Sequence, residues 1–373
     1  MVELQDIIQT YGAQYTKDIS LLPVQHKAMK SIASCRTAKL GGHIDHYDCG
    51  HTNISYNSCR NRNCPKCQAL TKERWVTARM DDLLPVPYYH VVFTLPQELN
   101  RLVFIDNATI YDLLMRASAE TLKTLCSSPR YLSAETGFIS VLHTWGQNLV
   151  LHPHVHIVIP AGGLTTCGKF VVGSKKFFLP VKVMAKLFRG KFLFHLKNLS
   201  ERFKAVEKSE WNDLIAALYS KDWYVYCKRP FKNPDVVLKY LGRYTHRVAI
   251  SNHRILSMNE GVVTFSYRDY KDGSKKKTMQ LAVNEFIRRF LLHVLPSGFR
   301  KIRHYGFLAP AAKMKKLKLC RKLLGVKFTP STPLSTRELL QKLTGRDIAV
   351  CPICRKGSQI SATGLSPPYD ASE

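Results

Sequence analysis

Apolar and polar positions along the chain alternate with two different periods. Residues 1–34 repeat their apolar side chains at the spacing of a helix, and residues 107–126 do the same. Short apolar runs typical of strands occur at 90–96, 137–145, 152–160 and 222–230. The pattern therefore predicts an α+β protein, in which antiparallel strands are flanked by helices.

The segment after residue 230 carries explicit start and turn signals. A helix is expected over 233–249, because Asn233 can cap it and Pro234 suits a first turn in which no backbone N–H is needed. Residues 262–283 predict a β-hairpin that turns at Lys-Asp-Gly-Ser, and an amphipathic helix follows over 284–295. We expect a single antiparallel sheet, covered by helices, in the middle of the chain.

Potential metal ligands crowd the segment from residue 35 to residue 67. They are the side chains of Cys35, His43, His46, Cys49, His51, Cys59, Cys64 and Cys67. His46 and Cys49 are separated by two residues. Cys64 and Cys67 repeat that spacing, at which two side chains bind one tetrahedral ion. The two pairs predict a structural zinc site, which would stabilise a segment too small to bury a core.

The other ligands of this segment leave two arrangements open. Cys35, His43, His51 and Cys59 are numerous enough to bind a second ion. In the alternative, Cys59 replaces His46 in a single site. Far along the chain, Cys351 and Cys354 form half of a further site, which either binds zinc with distant ligands or holds no metal. The remaining cysteines are interpreted as isolated core or surface thiols.

These patterns divide the chain into three parts. Residues 1–85 are expected to form a helical segment with a zinc-binding domain, and residues 86–300 the main α+β domain. Residues 301–373 are expected to be a basic extension that contains the Cys351–Cys354 pair and ends in a disordered tail.

The charge of the chain indicates its partner. The 56 Lys and Arg residues exceed the 27 Asp and Glu residues, which gives a formal net charge of +29. Such an excess is typical of proteins that bind nucleic acid, whereas an anionic membrane surface is the less favoured alternative. No apolar stretch is long enough to span a bilayer, and the N-terminus lacks a secretory signal, so we expect a cytoplasmic protein. Arg60 and Arg62 lie between zinc ligands and are expected to contact DNA.

The strand at 152–160 carries three histidines at alternate positions, His152, His154 and His156. Alternate side chains of a strand project from the same face, so these imidazoles can converge on one ion. A single histidine in an apolar run is usually a hydrogen-bonded core residue, but three in register favour a metal site. Two imidazoles leave coordination positions open, as a site for a phosphate oxygen requires.

The predicted helix at 233–249 supplies candidate nucleophiles for such a phosphate. Tyr240 and Tyr244 are one helical turn apart and therefore share a face. Two tyrosines at this spacing often have only a structural role, as amphipathic rings at the edge of a core. A divalent metal that neutralises the phosphate makes attack by a phenol plausible.

Four motifs in this order resemble a known family. They are SCRNRNCPKCQ, HPHVHIVIPAGGL, YLGRYTHRVAISNHRI and EFIRRFLLHVLPSGFRKIRHYGF. The chain from Cys35 to about Leu308 is similar to the rolling-circle transposases of bacterial insertion sequences of the type numbered ninety-one. These are two-tyrosine members of the His-hydrophobic-His (HUH) endonuclease superfamily, with an N-terminal zinc-binding domain. The resemblance implies an antiparallel-sheet nuclease fold and cleavage of single-stranded DNA through a covalent 5′-phosphotyrosine.

The resemblance also implies roles for particular residues. His154 and His156 fall on the HUH motif, and Tyr240 and Tyr244 on the tyrosine pair. Gln147 is the first candidate for a third ligand of a catalytic Mg²⁺ or Mn²⁺ ion, with His152 the second. Two arginines of the tyrosine helix are expected to contact DNA, namely Arg243 and Arg247.

The expected partners are single-stranded DNA at transposon ends and target DNA. The chain lacks the Gly-x-x-x-x-Gly-Lys-Ser/Thr motif of nucleotide-binding loops, so host replication proteins or a helicase are expected to help it. Two other functions stay open at this point. One is a replication initiator or conjugative relaxase with the same chemistry, and the other is a zinc-dependent nucleic-acid-binding protein without catalysis.

Overall fold

The computed structural model describes residues 2–173, 178–228, 236, 240, 242, 245, 248–270 and 272–368. The helices are α1 (Leu4–Asp18), α2 (Pro23–Ala33), α3 (Gln68–Met80), α4 (Asn100–Ile105), α5 (Asn107–Ser127), α6 (Val181–Lys197), α7 (Lys208–Ser220), α8 (Val283–Leu291), α9 (Lys313–Leu323) and α10 (Thr336–Thr344). The strands are β1 (Gly42–Tyr47), β2 (Thr52–Tyr56), β3 (Tyr88–Thr94), β4 (Phe138–Trp145), β5 (Leu151–Pro160), β6 (Gly162–Leu164), β7 (Phe170–Val172), β8 (Val225–Lys228), β9 (Ile255–Asn259), β10 (Val262–Asp269), β11 (Lys275–Ala282), β12 (Ile302–Tyr305) and β13 (Gln359–Leu365). The α+β class predicted from the sequence is confirmed.

A five-stranded antiparallel sheet organises the middle of the chain, in the order β12-β4-β5-β3-β8. Alternation along β5 assigns its residues to two faces. Val155 and Ile157 belong to the core that includes α5 and α6. Val158 packs on the other face with Val76 of α3 and Leu317 of α9. His154 and His156 have the parity of Val158, so they extend this second face beyond its apolar part.

The predicted division of the chain at residue 300 differs from the structure. β12 lies at 302–305 and pairs with β4, so the sheet ends beyond that boundary. The predicted hairpin over 262–283 is confirmed, but with β9 it forms a separate three-stranded sheet. The described part of the chain thus contains several sheets, where a single one was expected. The cap predicted at Asn233 and Pro234 lies outside the described residues.

The two N-terminal helices share a core with the C-terminal half of the chain. Ile7 of α1 and Met29 of α2 are buried together with Phe265 of β10 and Phe286 of α8. α8 buries apolar residues at the spacing of one helix face, namely Val283, Phe286, Ile287, Phe290 and Leu291. Residues 1–85 therefore do not form a core of their own, because α1 and α2 bury their apolar faces against residues some 250 positions later.

The C-terminal segment also differs from the prediction. A disordered tail was expected from residue 358, but β13 pairs antiparallel with β1 along its length. The strand completes a small sheet of order β13-β1-β2. Its sequence, QISATGL, has only Ile360 and Ala362 as apolar residues that alternate with polar ones, which is a weak basis for predicting a strand. Among the described helices, none combines the length and the apolar character needed to span a bilayer.

His293, which follows α8, supplies a test of this packing. The residue is only 4% exposed, and its Nε2 donates to the carbonyl oxygen of Leu149 at 3.0 Å. Its Nδ1 then accepts a hydrogen bond from the Thr144 hydroxyl at 3.2 Å. Burial lowers the pKa of His293 to about 4, so the folded protein keeps this imidazole neutral at a pH where the unfolded chain protonates it.

The stabilisation that neutral His293 provides is present above its unfolded pKa of about 6.5 and is lost progressively as the pH falls toward 4. The free energy of unfolding of the wild type should therefore fall between pH 7 and pH 5. We expect this fall to be smaller by about 2 kcal/mol in His293→Gln, which lacks the titrating imidazole. Denaturant unfolding at both pH values, with zinc in excess, measures this difference. Equal pH dependence in the two proteins would contradict the burial of a neutral imidazole.

Candidate metal centre and tyrosine site

The candidate catalytic site lies on the central strands of the five-stranded sheet. His154 and His156 project from one face of β5, and the strand register pairs His143 of β4 with His154. The ring nitrogens of these three histidines lie within 4.8 Å of one another. His143 and His156 are buried, whereas His154 is partly exposed. The three imidazoles therefore form one cluster with access from the surface.

Hydrogen bonds orient two of these rings toward the same point. The Nδ1 of His154 is 2.7 Å from the carbonyl oxygen of His152, to which it donates. The Nε2 atoms of His154 and His156 approach to 3.1 Å. Two ligands bound to one ion at about 2.1 Å and at a right angle are about 3 Å apart. The pair is thus arranged as two adjacent ligands of a single metal ion.

A fourth histidine, His90 of β3, supports this arrangement from behind. Its Nε2 lies 2.9 Å from Nδ1 of His156, and the two rings stack. This contact engages Nδ1 of His156 and leaves its Nε2 directed toward the cluster, as is usual for a metal-binding histidine whose other ring nitrogen is hydrogen-bonded. Burial lowers the pKa of His90 to about 4, and the positive charge of Lys228 contributes to the same shift. His90 is therefore neutral at physiological pH.

Tyr240 lies beside His90. The ring of Tyr240 meets the ring of His90 edge to face, with 5.1 Å between the centroids. Nζ of Lys228 lies 5.7 Å from the centroid of the tyrosine ring, and Lys228 is the β8 partner of His90 in the sheet. One predicted nucleophile is thus close to the histidine cluster and to a positive charge. Tyr244 lies outside the described residues, as do the two arginines predicted to contact DNA, Arg243 and Arg247.

The structure offers a further candidate for the third ligand. Gln147, the first candidate from the sequence, lies beyond β4, where its Nε2 donates to the hydroxyl of Tyr270 at 3.2 Å, and its role as a ligand stays a prediction. His152 is adjacent to His154 but outside the cluster. The further candidate is His143, because the pairing of β4 with β5 brings that residue opposite His154 and its ring nitrogen into the cluster. Sequence reasoning missed His143 and His90, since their proximity depends on strand register rather than on spacing along the chain.

The ring of Trp145 holds His143 in position. The two rings stack with a centroid separation of 4.7 Å and an interplanar angle of 18°. The ring of His293 also lies near Trp145, with 5.8 Å between the ring centroids. The imidazole of His143 is therefore restrained by an aromatic neighbour as well as by the strand that carries it.

A separate cluster of four thiols, the zinc cluster, lies at the N-terminal end of α3. It consists of Cys35, Cys59, Cys64 and Cys67. Sγ of Cys67 is 3.5 Å from Sγ of Cys35 and 3.7 Å from Sγ of Cys59. Four sulfurs bound tetrahedrally at about 2.3 Å from an ion are about 3.8 Å apart. The sulfur separations therefore fit four ligands around one tetrahedrally bound zinc ion.

The predicted pairing of His46 and Cys49 with Cys64 and Cys67 is therefore not what the structure shows. His46 lies in β1, where its Nε2 is 3.1 Å from Oγ1 of Thr363 in β13. Cys49 lies in the turn after β1, together with Cys351 and Cys354. Cys35 and Cys59 come to Cys64 and Cys67 instead, because α2 ends beside the loop that precedes α3. His43 is 3.4 Å from Asp45 and does not join either cluster.

The zinc cluster is linked physically to the tyrosine segment. α3 starts directly after Cys67, which occupies its N-cap position. A Cβ atom at Gly242 would lie 2.5 Å from Cγ2 of Val76 in α3, so the contact requires glycine at position 242. The four thiols thus fix the start of the helix against which the Tyr240 segment packs.

The arginines between the zinc ligands have different surroundings. The guanidinium of Arg62 donates to the carbonyl oxygen of Phe299 at 2.8 Å and also contacts that of Pro296. Arg62 therefore ties the zinc cluster to the loop before β12, and its donors are directed into the protein. Arg60 is exposed, so of the two it is the one that remains directed toward solvent.

Family models match both parts of the chain that contain these two sites. Residues 137–316, which include the histidine cluster and Tyr240, match a family model described as a putative transposase. Residues 7–95, which include the zinc cluster, match the model of a transposase zinc-binding domain. The chain is 45% identical over 375 residues to the putative transposase y4qJ of Sinorhizobium fredii (strain NBRC 101917 / NGR234), across 96% of this chain and 94% of that protein.

A second relative is more distant. The chain is 29% identical over 308 residues to the transposase for insertion sequence element IS801 of Pseudomonas savastanoi pv. phaseolicola, across 80% of this chain and 73% of that protein. No solved structure matches the chain. The protein is a DNA transposase, a class of DNA-cleaving enzyme. The chain belongs to the transposase family of the insertion-sequence-ninety-one type, with an N-terminal zinc-binding domain.

The zinc cluster gives a direct prediction. Cys64→Ser should lose one zinc ion per chain and lower the melting temperature, because the bound ion contributes folding energy to the loop between α2 and α3. Elemental analysis and thermal unfolding measure these effects. The matched control is Cys167→Ser, since Cys167 is exposed and outside the thiol clusters of the described residues. Unchanged zinc content in Cys64→Ser would exclude this ligand set.

Proposed function

We propose that this transposase cleaves and rejoins single-stranded transposon ends through a covalent bond between a tyrosine and a 5′ phosphate, in transposition of the rolling-circle type. The observation that carries the proposal is the position of Tyr240 against His90, the hydrogen-bond partner of the cluster residue His156. A phenol, a metal-ligand cluster and a basic side chain thus share one face of the sheet.

The histidine cluster has donors that suit a divalent cation. His143, His154 and His156 contribute imidazole nitrogens, and three protein ligands leave positions for substrate oxygens. Imidazole suits Mn²⁺ better than Mg²⁺, which prefers oxygen ligands, so of the two we favour Mn²⁺. When bound, the cation would neutralise negative charge on the scissile phosphate and make phosphorus more electrophilic.

The neighbouring residues have distinct tasks in this proposal. His90 and the carbonyl of His152 hold His156 and His154 with their Nε2 atoms toward the cluster. Lys228 lies near the Tyr240 ring, where its charge stabilises the phenolate that forms when the phenol loses its proton before attack. Basic side chains elsewhere on the protein hold the DNA backbone without reading its sequence.

The chemical step exchanges one phosphate ester for another. The phenol oxygen bonds to phosphorus, and the bond between phosphorus and the 3′ oxygen breaks. The proton lost by the phenol is balanced by the proton gained by the departing 3′ oxygen, which leaves a free 3′-hydroxyl. Rejoining reverses these steps with a new 3′-hydroxyl, and because the ester bond is conserved no nucleotide cofactor is required.

The proposed substrate, single-stranded DNA, implies a cellular location for the enzyme and a need for proteins that separate DNA strands. Strand separation must expose the transposon ends, and we propose that host replication proteins or a helicase provide it. The enzyme would act on the bacterial nucleoid in the cytoplasm. The relatives are named as transposases, which favours transposition over the replication-initiator or relaxase alternative. A non-catalytic nucleic-acid-binding protein would not require the arrangement of Tyr240 beside the histidines.

A denaturing gel with end-labelled oligonucleotides tests the proposal. Single-stranded DNA that contains the transposon end is incubated with the protein and Mn²⁺. A 3′ label should move with the protein, because the fragment downstream of the cut stays on tyrosine, whereas a 5′ label should appear in a free shorter product. Cleavage without any protein-linked label would indicate hydrolysis by water. Double-stranded DNA of the same sequence should give no adduct.

A further inference from the structure

A second group of thiols joins the two ends of the chain. Cys49 follows β1, whereas Cys351 and Cys354 lie some 300 residues later, and their Sγ atoms are within 4.8 Å of one another. This thiol cluster, the terminal cluster, is separate from the zinc cluster at the start of α3. The family models match residues 7–95 and 137–316. Cys351 and Cys354 lie outside both ranges, whereas Cys49 lies within the first.

Backbone contacts hold the two turns of the terminal cluster face to face. The N–H of Asp48 donates to the carbonyl oxygen of Ser358 at 3.0 Å, and the N–H of Ser358 donates to Oδ1 of Asp48 at 3.0 Å. In the second turn, the N–H of Gly357 donates to Sγ of Cys354 at 3.2 Å. Backbone donors to sulfur stabilise the negative charge of a thiolate, which is the form that binds a metal.

The shape of the second turn leaves room for the thiols. A Cβ atom at Gly357 would lie 2.7 Å from Sγ of Cys49, which is closer than any side chain permits. Glycine at this position therefore allows the thiol of Cys49 to lie beside the turn that carries Cys351 and Cys354. Cys351 is buried, while Cys49 and Cys354 are exposed, so an ion could reach the cluster from solvent.

The sheet of β13, β1 and β2 has few buried apolar side chains to stabilise it. None of the three apolar cores among the described residues includes a residue of β1, β2 or β13. Tyr47 of β1 is buried at 4% exposure, but Ile353 is 72% exposed and Ile360 is 67% exposed, so the apolar side chains near the cluster supply only a small part of a core. A sheet of three short strands requires such a core or an equivalent constraint. A metal ion supplies that constraint in many small domains.

We propose that Cys49, Cys351 and Cys354 bind a second structural zinc ion, which fastens the C-terminal strand β13 to the N-terminal hairpin. Binding releases the three thiol protons, and the thiolates occupy three corners of a tetrahedron. The described residues bring no fourth ligand to the three thiols, so water completes the site, or the imidazole of His46 or His51 does so after a change of rotamer. The inference concerns the architecture of the chain and does not depend on the proposed nuclease chemistry.

Zinc analysis of the full-length chain, purified under reducing conditions, tests the proposal. The wild type should contain two zinc ions per chain, and Cys351→Ser/Cys354→Ser should contain one. The ion that remains should belong to the zinc cluster, so adding Cys64→Ser should remove it as well. Cys167→Ser should keep both ions. One zinc per chain in the wild type, or the same zinc content in Cys351→Ser/Cys354→Ser as in the wild type, would overturn the proposal.

A second measurement guards against misfolding of the variant. Hydrogen exchange in the wild type should be slow for the amides of β13 that pair with β1, and a chelator that removes the second ion should accelerate them at least tenfold. Exchange in the five-stranded sheet should not change. Zinc-independent protection of β13 would overturn the proposal, as would a Cys351–Cys354 disulfide, which mass spectrometry detects as the loss of two hydrogens.

Discussion

The double variant Tyr240→Phe/Tyr244→Phe should form no covalent adduct with any single-stranded transposon end. Each substitution removes one hydroxyl and leaves the ring, so folding and DNA affinity should be close to those of the wild type. A phenol oxygen is the nucleophile of the proposed step, and without it no protein–DNA bond can form. The measurement is the denaturing gel with 3′-labelled DNA, on which the adduct should fall to background.

The single variants separate the two phenols. Tyr240 lies beside His90, so Tyr240→Phe should reduce the first cleavage more than Tyr244→Phe does. If the two tyrosines alternate, each single variant should still fail to complete transposition, because two strand ends must be held before exchange. Tyr219→Phe is the matched control, since Tyr219 is exposed on α7. An adduct formed by the double variant at the wild-type level would contradict the proposed nucleophiles.

Replacement of the cluster histidines should have the second largest effect. His154→Ala/His156→Ala is expected to lower the cleavage rate by at least about 100-fold, because loss of a residue that only hydrogen-bonds to a metal ligand already costs about 10–100-fold. Affinity for single-stranded DNA should change little, since distributed positive charge provides most of the binding. Single-turnover cleavage and equilibrium binding at one salt concentration measure the two effects separately.

The same assay decides the third ligand. His143→Ala should be impaired to an extent similar to His154→Ala, because its ring nitrogen belongs to the same cluster. Gln147→Ala should cleave DNA at nearly the wild-type rate, since Gln147 is directed to Tyr270. A large defect in Gln147→Ala with normal cleavage by His143→Ala would restore the ligand predicted from the sequence. Equal loss of binding and cleavage in the double histidine variant would indicate a purely structural role.

Local patterns were sufficient to predict much of the fold. The helical spacing of apolar residues predicted α5 and α8, and the turn sequence before β11 predicted the hairpin with β10. Alternation in β5 placed His154 and His156 on one face, because that property depends only on neighbouring residues. These features could be predicted since each follows from contacts within a few residues along the chain.

Features that depend on distant pairing could not be predicted. His143 joins the cluster through the register of β4 with β5, and His90 through that of β3 with β5. A shift of either register by one residue would direct these side chains to the opposite face. The spacing of two residues between ligands identified Cys64 and Cys67, but it could not reveal that Cys35 completes their site. Only the folded positions of α2 and α3 determine that partner.

The most direct test of the proposed nuclease chemistry is peptide mapping of the trapped protein–DNA adduct. The adduct is formed with a 3′-labelled single-stranded end and Mn²⁺, digested with protease and nuclease, and sequenced by mass spectrometry. We predict that the nucleotide is attached through its 5′ phosphate to Tyr240, or to Tyr244 in molecules that have undergone the second cleavage. Attachment to any other residue, or through a 3′ phosphate, would contradict the proposed mechanism.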